Sequence, residues 1–413
     1  MLVKYSSIGN RKPGVDKLIS GLALGGGGSK GIYELGAWEA FRELGVVFDV
    51  IAGTSIGSIN GAFMATDDYD GAVRMWENIR IEQCVAFSEN QSLRSSDLLS
   101  LKNVEVLAKE LLTQGALNTQ PLRSLLGQHI DEERVRESHI RYGLMTALLP
   151  RMTPMPMWIE DIPKGQLIDY VMASACLPGL RTVQIGEQRF IDGGVAEVVP
   201  LSMLRRLGIC RITALDLNTG VSLKSPMIDN IQLTFIHNQM DLGGPLDLTP
   251  EILIRNRRLG YLDTLKAFGR LAGDYYSFKP DDHKALCREF GPENVHGLEQ
   301  AAIAYEIDRC VIYDPNRFLT LIRTRRAEVQ TLYEDKRRLL QIDHKLRSVM
   351  SGRLKVLKLL PPMRLAFLLE LGTQIRRSDS FLNIPMQHFR NLDLAAQALG
   401  SLDEYDMRRD SKG

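Results

Sequence analysis

The sequence predicts an α/β protein with a mostly parallel central sheet flanked by helices, followed by a helix-rich C-terminal region. Two short apolar runs, at residues 18–24 and 46–52, are typical of buried parallel strands. Each run ends in a turn of small residues, and each turn is followed by apolar residues at helical spacing. This order of strand, turn and helix predicts a βαβ unit with a right-handed crossover.

The rest of the chain divides into two stretches of different character. Apolar runs predict strands at 140–149, 212–217 and 231–236 and helices at 167–176 and 253–271. From about residue 222 the chain is mostly helical and is interrupted by prolines. We therefore expect an N-terminal extension at 1–19, an α/β catalytic domain at 20–221 and a mostly helical region at 222–413. The sequence leaves open whether this last region is a lid, a docking surface or an oligomer interface.

The composition argues against several classes of function. Hydrophobic residues make up 44% and charged residues 24% of the chain, as is usual for a globular protein. The formal net charge of +1 gives no reason to expect nucleic-acid binding. The five cysteines show no C-x-x-C spacing, which argues against a zinc site or a disulfide framework. We expect no metal and no cofactor.

The sequence shows neither a secretory signal nor a membrane-spanning segment. Residues 1–20 lack the apolar core of a secretory signal, and no run of 18 apolar residues occurs. We therefore expect a cytoplasmic protein that contacts a membrane only at its surface. The segment 321–360 has 11 Lys and Arg against 4 Asp and Glu, a local net charge of +7. It could face anionic lipid or form an ordinary solvated helix face.

A glycine-rich loop, Gly25-Gly26-Gly27-Gly28-Ser29-Lys30-Gly31, follows the first predicted strand. A Walker A loop is excluded, because Lys30 is followed by Gly31 instead of Ser or Thr. A dinucleotide site is disfavoured, because Asp49 stands at the start of the second strand and not at its end. The remaining interpretation is an oxyanion hole, in which unshielded backbone N–H groups face a developing negative charge.

The second turn, Gly53-Thr54-Ser55-Ile56-Gly57, has the G-x-S-x-G pattern of a nucleophile elbow. This pattern places a serine hydroxyl on a sharp bend between strand and helix, where it can meet a substrate. Because the glycine loop and the elbow follow neighbouring strands of a parallel sheet, both are expected at the same edge of that sheet.

A serine nucleophile needs a base, and the sequence offers two kinds. The chain has seven histidines, of which only His237 lies near the end of a candidate strand. A histidine triad therefore stays an open alternative. The other candidate is Asp192 in Asp192-Gly193-Gly194, where a carboxylate at a strand end could take the serine proton directly. The seven histidines are His129, His139, His237, His283, His296, His344 and His388.

The glycine loop, the elbow and Asp192-Gly193-Gly194 resemble, in this order, the signatures of the bacterial patatin-like phospholipases. Residues 173–179, Ala-Ser-Ala-Cys-Leu-Pro-Gly, are also similar to that family, and the resemblance covers residues 20–215. It implies a three-layer fold and a Ser-Asp dyad without histidine, with Ser55 as the nucleophile and Asp192 as its base. The oxyanion donors that it implies are the backbone N–H groups of Gly26, Gly27, Gly28 and Ile56.

The same resemblance implies that the substrate is a lipid or phospholipid, cleaved by a phospholipase A or lysophospholipase reaction through an acyl-enzyme. Lys30 could bind a lipid phosphate, although a lysine after a helix start is commonly solvated. Tyr33, Trp38 and Phe41 could line an acyl channel, but their helical spacing favours core packing. Alternatives left open are a histidine-triad esterase and a catalytically weak lipid-binding effector or scaffold. The oligomeric state also stays open, with a homodimer as one option.

Overall fold

The structure is a computed structural model that describes residues 19–86, 118–177, 182–217, 231–340, 365–366, 368–370, 373 and 390–411. The chain divides into two compact units. Unit 1 comprises Met1–His237 and Leu242–Leu253, and unit 2 comprises Asn238–Asp241 and Ile254–Gly413. The predicted boundary at residue 221 and all but the last residue of the predicted N-terminal extension lie outside the described residues.

Unit 1 is built on a mixed sheet with a parallel centre. Its strands are β1 Ser20–Leu24, β2 Val50–Thr54, β3 Arg141–Leu148, β4 Thr153–Trp158, β5 Val183–Ile185, β6 Gln188–Asp192, β7 Arg211–Asp216 and β8 Gln232–His237. In the described part of the chain they follow the order β5-β6-β3-β2-β1-β7-β8, with β4 also paired to β3. The strands β3, β2, β1, β7 and β8 pair in parallel, which confirms the predicted fold class.

Two antiparallel strands, β4 and β5, were not expected from the sequence. Pro154 and Pro156 interrupt the apolar pattern of β4, and proline cannot donate a ladder hydrogen bond. The structure accommodates both prolines because, among the described strands, β4 pairs with β3 alone and is therefore an edge strand. Strand β5 has only three residues, too few for a periodic signal.

The helices of unit 1 connect these strands. They are α1 Ile32–Leu44, α2 Ile56–Ala65, α3 Tyr69–Asn78, α4 Ile81–Cys84, α5 Gln120–His129, α6 Glu132–Glu137, α7 Leu167–Ser174 and α8 Leu201–Arg206. The sequence places a helix stop at Gly45, and the structure confirms it: Gly45 caps α1 with φ of 66°.

Helices cover both faces of the sheet, which makes the unit three-layered. On one face, Ala23 and Val50 pack in a buried cluster with Leu204 of α8. On the other face α2 lies so close that a Cβ at Gly61 would be 3.2 Å from Ile51 Cγ2. Since successive side chains of a strand point to opposite faces, all five residues of β2 are buried.

One edge of β3 is shared by two strands, placed end to end. Strand β2 pairs with β3 up to Thr54, opposite Met145, and β6 pairs with β3 starting at Asp192, opposite Thr146. Strand β4 pairs with β3 across both stretches, so β2 and β6 both occupy the other edge. Ser55, which follows Thr54, therefore stands where the C-terminal ends of β2 and β6 meet.

Unit 2 is mainly helical. Its helices are α9 Pro250–Ala267, which belongs to unit 2 from Ile254 onward, α10 Pro280–Phe290, α11 Pro292–Ala304, α12 Pro315–Leu340 and α13 Arg390–Asp410. Its short strands, β9 Ser277–Phe278 and β10 Ile312–Tyr313, pair in parallel. The expected breaks at Pro292 and Pro315 are confirmed, since each proline begins a helix and lacks only an N–H that would have no partner there.

The described helices give no candidate for a bilayer span, because none combines the necessary length with sufficient apolarity. The basic segment falls partly on α12, and its residues 341–360 lie outside the described residues. The functions proposed for this segment stay predictions.

A buried ion cluster joins α12 to α13. Arg326 donates to both carboxylate oxygens of Asp403, at 2.8 and 3.2 Å. Its Nε also lies 3.6 Å from Oε1 of Glu370, which is 1% exposed and accepts a hydrogen bond from the Tyr305 hydroxyl. Because Arg326 and Glu370 are both buried, removing the guanidinium leaves the carboxylate of Glu370 without a compensating positive charge.

We expect Arg326→Ala to lower the free energy of unfolding by about 3–5 kcal/mol. Its matched control is the neighbouring Arg325→Ala. Arg325 is half exposed and, within the described part of the chain, pairs only with Glu328, so the loss should be at most about 0.5 kcal/mol. Urea denaturation of the full chain, followed by circular dichroism, measures both. Equal losses for the two variants would contradict a stabilising role for the buried cluster.

Candidate active site

The elbow bends sharply at Ser55, between the last residue of β2 and the first residue of α2. Ser55 has φ of 54° and ψ of −123°, a conformation that costs a non-glycine residue about 1–3 kcal/mol. It is 2% exposed. The two flanking glycines are required by space, because a Cβ at Gly53 would lie 2.2 Å from the Gly57 carbonyl oxygen, and one at Gly57 would lie 2.5 Å from that of Leu24.

Asp192 ends β6 and is held in a tight turn. Its Oδ1 accepts a hydrogen bond from the Gly194 N–H at 2.7 Å. A Cβ at Gly193 would lie 2.1 Å from the Met145 carbonyl oxygen, so this turn also needs glycine. The loop that follows is tied back to β2, since the Thr54 hydroxyl donates to the Glu197 carbonyl at 3.0 Å.

The carboxyl of Asp192 is an unusually basic one. Burial raises its pKa to about 6, against the smaller lowering effects of the Ser55 side chain and the Gly194 N–H. Oδ2 is buried, and none of the described groups makes a well-formed hydrogen bond to it. This oxygen is thus available to accept a proton from the Ser55 hydroxyl that faces the carboxyl. Catalytic hydrogen bonds are often long before substrate binds.

The histidine alternative gains no support from unit 1. Among its described residues, no histidine forms a hydrogen bond with Ser55 or Asp192. His237 is exposed at the end of β8, where its ring stacks on Phe235 with centroids 4.8 Å apart. His344 and His388 lie outside the described residues.

The glycine loop lies directly against Ser55. A Cβ at Gly26 would be 3.2 Å from Ser55 Cβ. The Gly26 N–H, however, donates to the Val198 carbonyl at 3.0 Å and is therefore not a free donor in this structure. In the described part of the chain, no acceptor is bound by the N–H groups of Gly27, Gly28 or Ile56. These three remain as candidate oxyanion donors.

The far side of the glycine loop is fixed by residues 244–245. The Ser29 N–H donates to the Pro245 carbonyl at 2.8 Å, and the Ser29 hydroxyl donates to the Gly244 carbonyl at 2.9 Å. Gly28 has φ of 60°, and a Cβ there would lie 2.0 Å from the Pro245 oxygen. Lys30 lies half-buried in the 3₁₀ turn Gly28–Gly31, and its predicted phosphate contact stays a prediction.

An apolar cavity of about 90 Å³ opens beside Ser55. Its apolar lining includes Ile56, Ile59, Trp76, Ile79, Val85, Leu122, Leu177, Leu246 and Leu248. The three aromatic residues of α1 that the sequence offered for an acyl channel do not line it. Tyr33 is fully buried, and Trp38 and Phe41 border a separate cavity of about 470 Å³. The sequence could not identify the true lining, because it comes from segments far apart in the chain.

A buried polar network under the glycine loop was also missed. Glu34 is fully buried, and burial raises its pKa to about 8, against lowering by the Asn60 side chain and the Gly25 N–H. The Asn60 amide donates to Glu34 at 2.8 Å and to the Gly31 carbonyl at 2.9 Å, and it accepts from the Trp76 indole N–H at 3.0 Å. The available signal was that Glu34 is the single charged residue among the first seven residues of α1.

Residues 22–205 match the family model described as patatin-like phospholipase. Lysophospholipase nte1 of Aspergillus fumigatus is 24% identical over 269 residues, which cover 63% of this chain and 16% of that protein. A patatin-like phospholipase domain-containing protein of Caenorhabditis elegans is 27% identical over 200 residues, which cover 48% of this chain and 14% of that protein. The chain thus spans less than a fifth of the length of either relative.

Among solved structures, VipD from Legionella pneumophila is similar with a TM-score of 0.39 and 14% identity. The match covers 94% of this chain and 86% of that one.

The buried carboxyl makes the fold less stable when it is ionised, and Asp192→Asn tests this. Since the pKa is about 6 in the folded chain and near 3.8 when unfolded, the stability that this carboxyl contributes is fully present below pH 4 and is lost as pH rises through 6. We expect Asp192→Asn to raise the free energy of unfolding at pH 8 by up to about 3 kcal/mol, with the gain vanishing toward pH 4. Thermal melts across this range measure this gain, and Asp161→Asn, at an exposed position of unit 1, is the control variant. A loss of stability at pH 8 would contradict the expectation.

Proposed function

We propose, from the premise that residues 22–205 form a patatin-like phospholipase domain, that the chain hydrolyses carboxylic esters of lipids with Ser55 and Asp192 as a catalytic dyad. The observation that carries the proposal is the junction of β2 and β6 on β3. At this junction the strained, buried Ser55 lies next to the buried carboxyl of Asp192, whose pKa is raised to about 6. The candidate oxyanion donors, the N–H groups of Gly27, Gly28 and Ile56, lie beside Ser55.

The first half of the reaction forms an acyl-enzyme. Asp192 Oδ2 takes the hydroxyl proton of Ser55 as Oγ attacks the ester carbonyl. The N–H groups of Gly27, Gly28 and Ile56 bind the oxyanion of the tetrahedral intermediate, and the N-terminus of the ten-residue helix α2 adds a favourable dipole. The intermediate collapses when the C–O bond of the leaving alcohol breaks, and Asp192 returns the proton to that alcohol.

The second half releases the fatty acid. Asp192, again ionised, takes a proton from a water molecule, and the resulting hydroxide attacks the acyl carbonyl on Ser55. The same backbone donors bind the second oxyanion. Collapse breaks the bond to Oγ, and the proton returns from Asp192 to Ser55, which restores the free enzyme.

The cavity beside Ser55 supports an acyl chain as the group that is recognised. Its walls are almost entirely aliphatic or aromatic, so it would hold a hydrocarbon and orient the adjoining ester toward Ser55. The relative from Aspergillus fumigatus is named a lysophospholipase, which makes a single-chain phospholipid the first substrate to test. Such a substrate reaches the enzyme from micelles or bilayers, so we propose transient contact with a lipid surface.

We expect Ser55→Ala and Asp192→Asn each to lower kcat by about 10⁴-fold or more, because the two side chains act as one unit. Mass spectrometry of fatty acid released from lysophosphatidylcholine measures turnover. Labelling with a fluorophosphonate reports the nucleophile directly, and Ser55→Ala should remove it. Asp161→Asn, an exposed acid of unit 1, serves as the control and should keep full activity. Wild-type protein that folds but neither turns over lipid nor takes the label would reject the proposal in favour of a non-catalytic lipid-binding protein.

The pH dependence of kcat/KM follows from the ionisation of Asp192. Its carboxyl must be unprotonated to act as a base, and burial raises its pKa to about 6. We therefore expect kcat/KM to fall about tenfold per pH unit below pH 6 and to level off above it. Initial rates on a soluble p-nitrophenyl ester between pH 4 and 9 test this. If kcat/KM instead begins to fall only near pH 4, the base is an ordinary exposed carboxylate or another group.

A further inference from the structure

The backbone N–H of Ser55 has a specific partner outside the elbow. It donates to the Oγ of Ser174 at 2.9 Å, and both groups are buried. In other serine hydrolases the N–H of the nucleophile itself can bind the oxyanion. Here that N–H is already used, so the Ser174 hydroxyl fixes the orientation of the strained peptide instead.

The Ser174 hydroxyl is itself anchored. It donates to the carbonyl of Met145 at 2.7 Å, so it accepts one hydrogen bond and donates another. Met145 is the residue of β3 that pairs with Thr54, immediately before the nucleophile. Ser174 therefore connects the elbow to the strand at the point where β2 ends, and its side chain is completely buried.

Two residues further along, the same segment contacts the other member of the dyad. The N–H of Asp192 donates to the carbonyl of Cys176 at 2.9 Å. Ser174 is the last residue of α7, and Cys176 follows after one residue. One stretch of three residues thus binds the backbone of the nucleophile at one end and the backbone of the base at the other.

We infer that residues 174–176 form a clamp that sets the spacing between Ser55 and Asp192, and that Ser174 is a positioning residue for proton transfer between them. This inference rests on the proposed function. Ser174 does not touch the substrate. It acts through the Ser55 peptide, whose orientation determines whether Oγ points at Asp192 Oδ2.

A loosened elbow should alter chemistry more than binding. The acyl cavity is lined by side chains other than Ser174, so KM should change little. Proton transfer requires Oγ within hydrogen-bond reach of the carboxyl, and a misplacement of about 1 Å can reduce the rate by about 10²-fold. The acid limb of the pH profile should also move, because the Ser55 side chain lowers the pKa of Asp192. The titratable group facing Asp192 is the Cys176 thiol, whose pKa burial raises to about 11, so it stays neutral throughout.

The test compares Ser174→Ala with Ser138→Ala in the full chain. Ser138 is a matched control near the opposite end of β3, where its hydroxyl likewise accepts from a backbone N–H, that of Ile140, and donates to a backbone carbonyl, that of Ala65. For Ser174→Ala we expect kcat on a p-nitrophenyl ester to fall about 10²-fold with KM within about threefold of wild type. We also expect slower fluorophosphonate labelling and an acid limb shifted to higher pH. Ser138→Ala should keep the wild-type kcat, and the acid limb of its pH profile should lie at the same pH as in the wild type.

Ser174→Thr keeps the hydroxyl and covers the case in which the alanine variant does not fold. Its kcat should exceed that of Ser174→Cys, whose sulfur is a weak acceptor and donor. The inference is overturned if Ser174→Ala keeps kcat and the acid limb, if Ser138→Ala loses as much kcat, or if the threonine and cysteine variants are equally active. Failure of the proposed function is distinguishable, because then the wild-type protein itself shows neither turnover nor labelling.

Discussion

The end-to-end placement of β2 and β6 along one edge of β3 is the constraint on which the site depends. Since Thr54 and Asp192 pair with successive residues of the same strand, the proposed nucleophile and the proposed base are neighbours although 137 positions separate them in the chain. A sheet ladder tolerates no slip of one residue without reversing every side chain. The spacing of Ser55 and Asp192 is therefore set by backbone hydrogen bonds, and the flanking glycines allow the loops to close around it.

Several features of the site lower the stability of the folded chain. Ser55 occupies a disfavoured backbone conformation, Asp192 carries a buried carboxyl, and Gly53, Gly57 and Gly193 leave no room for a side chain. Such strain persists only where the surroundings fix the backbone. The surroundings here are a β2 strand and an α2 helix that are buried along their entire length. The packing that stabilises unit 1 thus also holds Ser55 and Asp192 in an arrangement that is unfavourable by itself.

Local patterns predicted the parts of this site that local sequence controls. The elbow and the glycine loop depend on small residues at fixed spacing, and Asp192 stands beside glycines at a strand end, so all three could be found in the sequence. The prediction failed where a distant partner decides the outcome. The Gly26 N–H is taken by Val198, 172 positions away, and the cavity is lined by side chains from segments that only the fold brings together. The sequence did not predict strand β4, because its two prolines argue against a strand unless that strand lies at the edge of a sheet.

The buried Glu34 has a consequence for the charge balance of the site. With its pKa raised to about 8, this carboxyl is protonated at neutral pH and serves as an uncharged support for Gly25 and Asn60. In the proposed mechanism Asp192 carries the negative charge of the dyad, and it becomes neutral on taking the serine proton. An oxyanion would form just as that charge disappears, in surroundings where a second carboxylate would have repelled it. A protonated Glu34 thus adds no negative charge near Ser55 while the oxyanion forms.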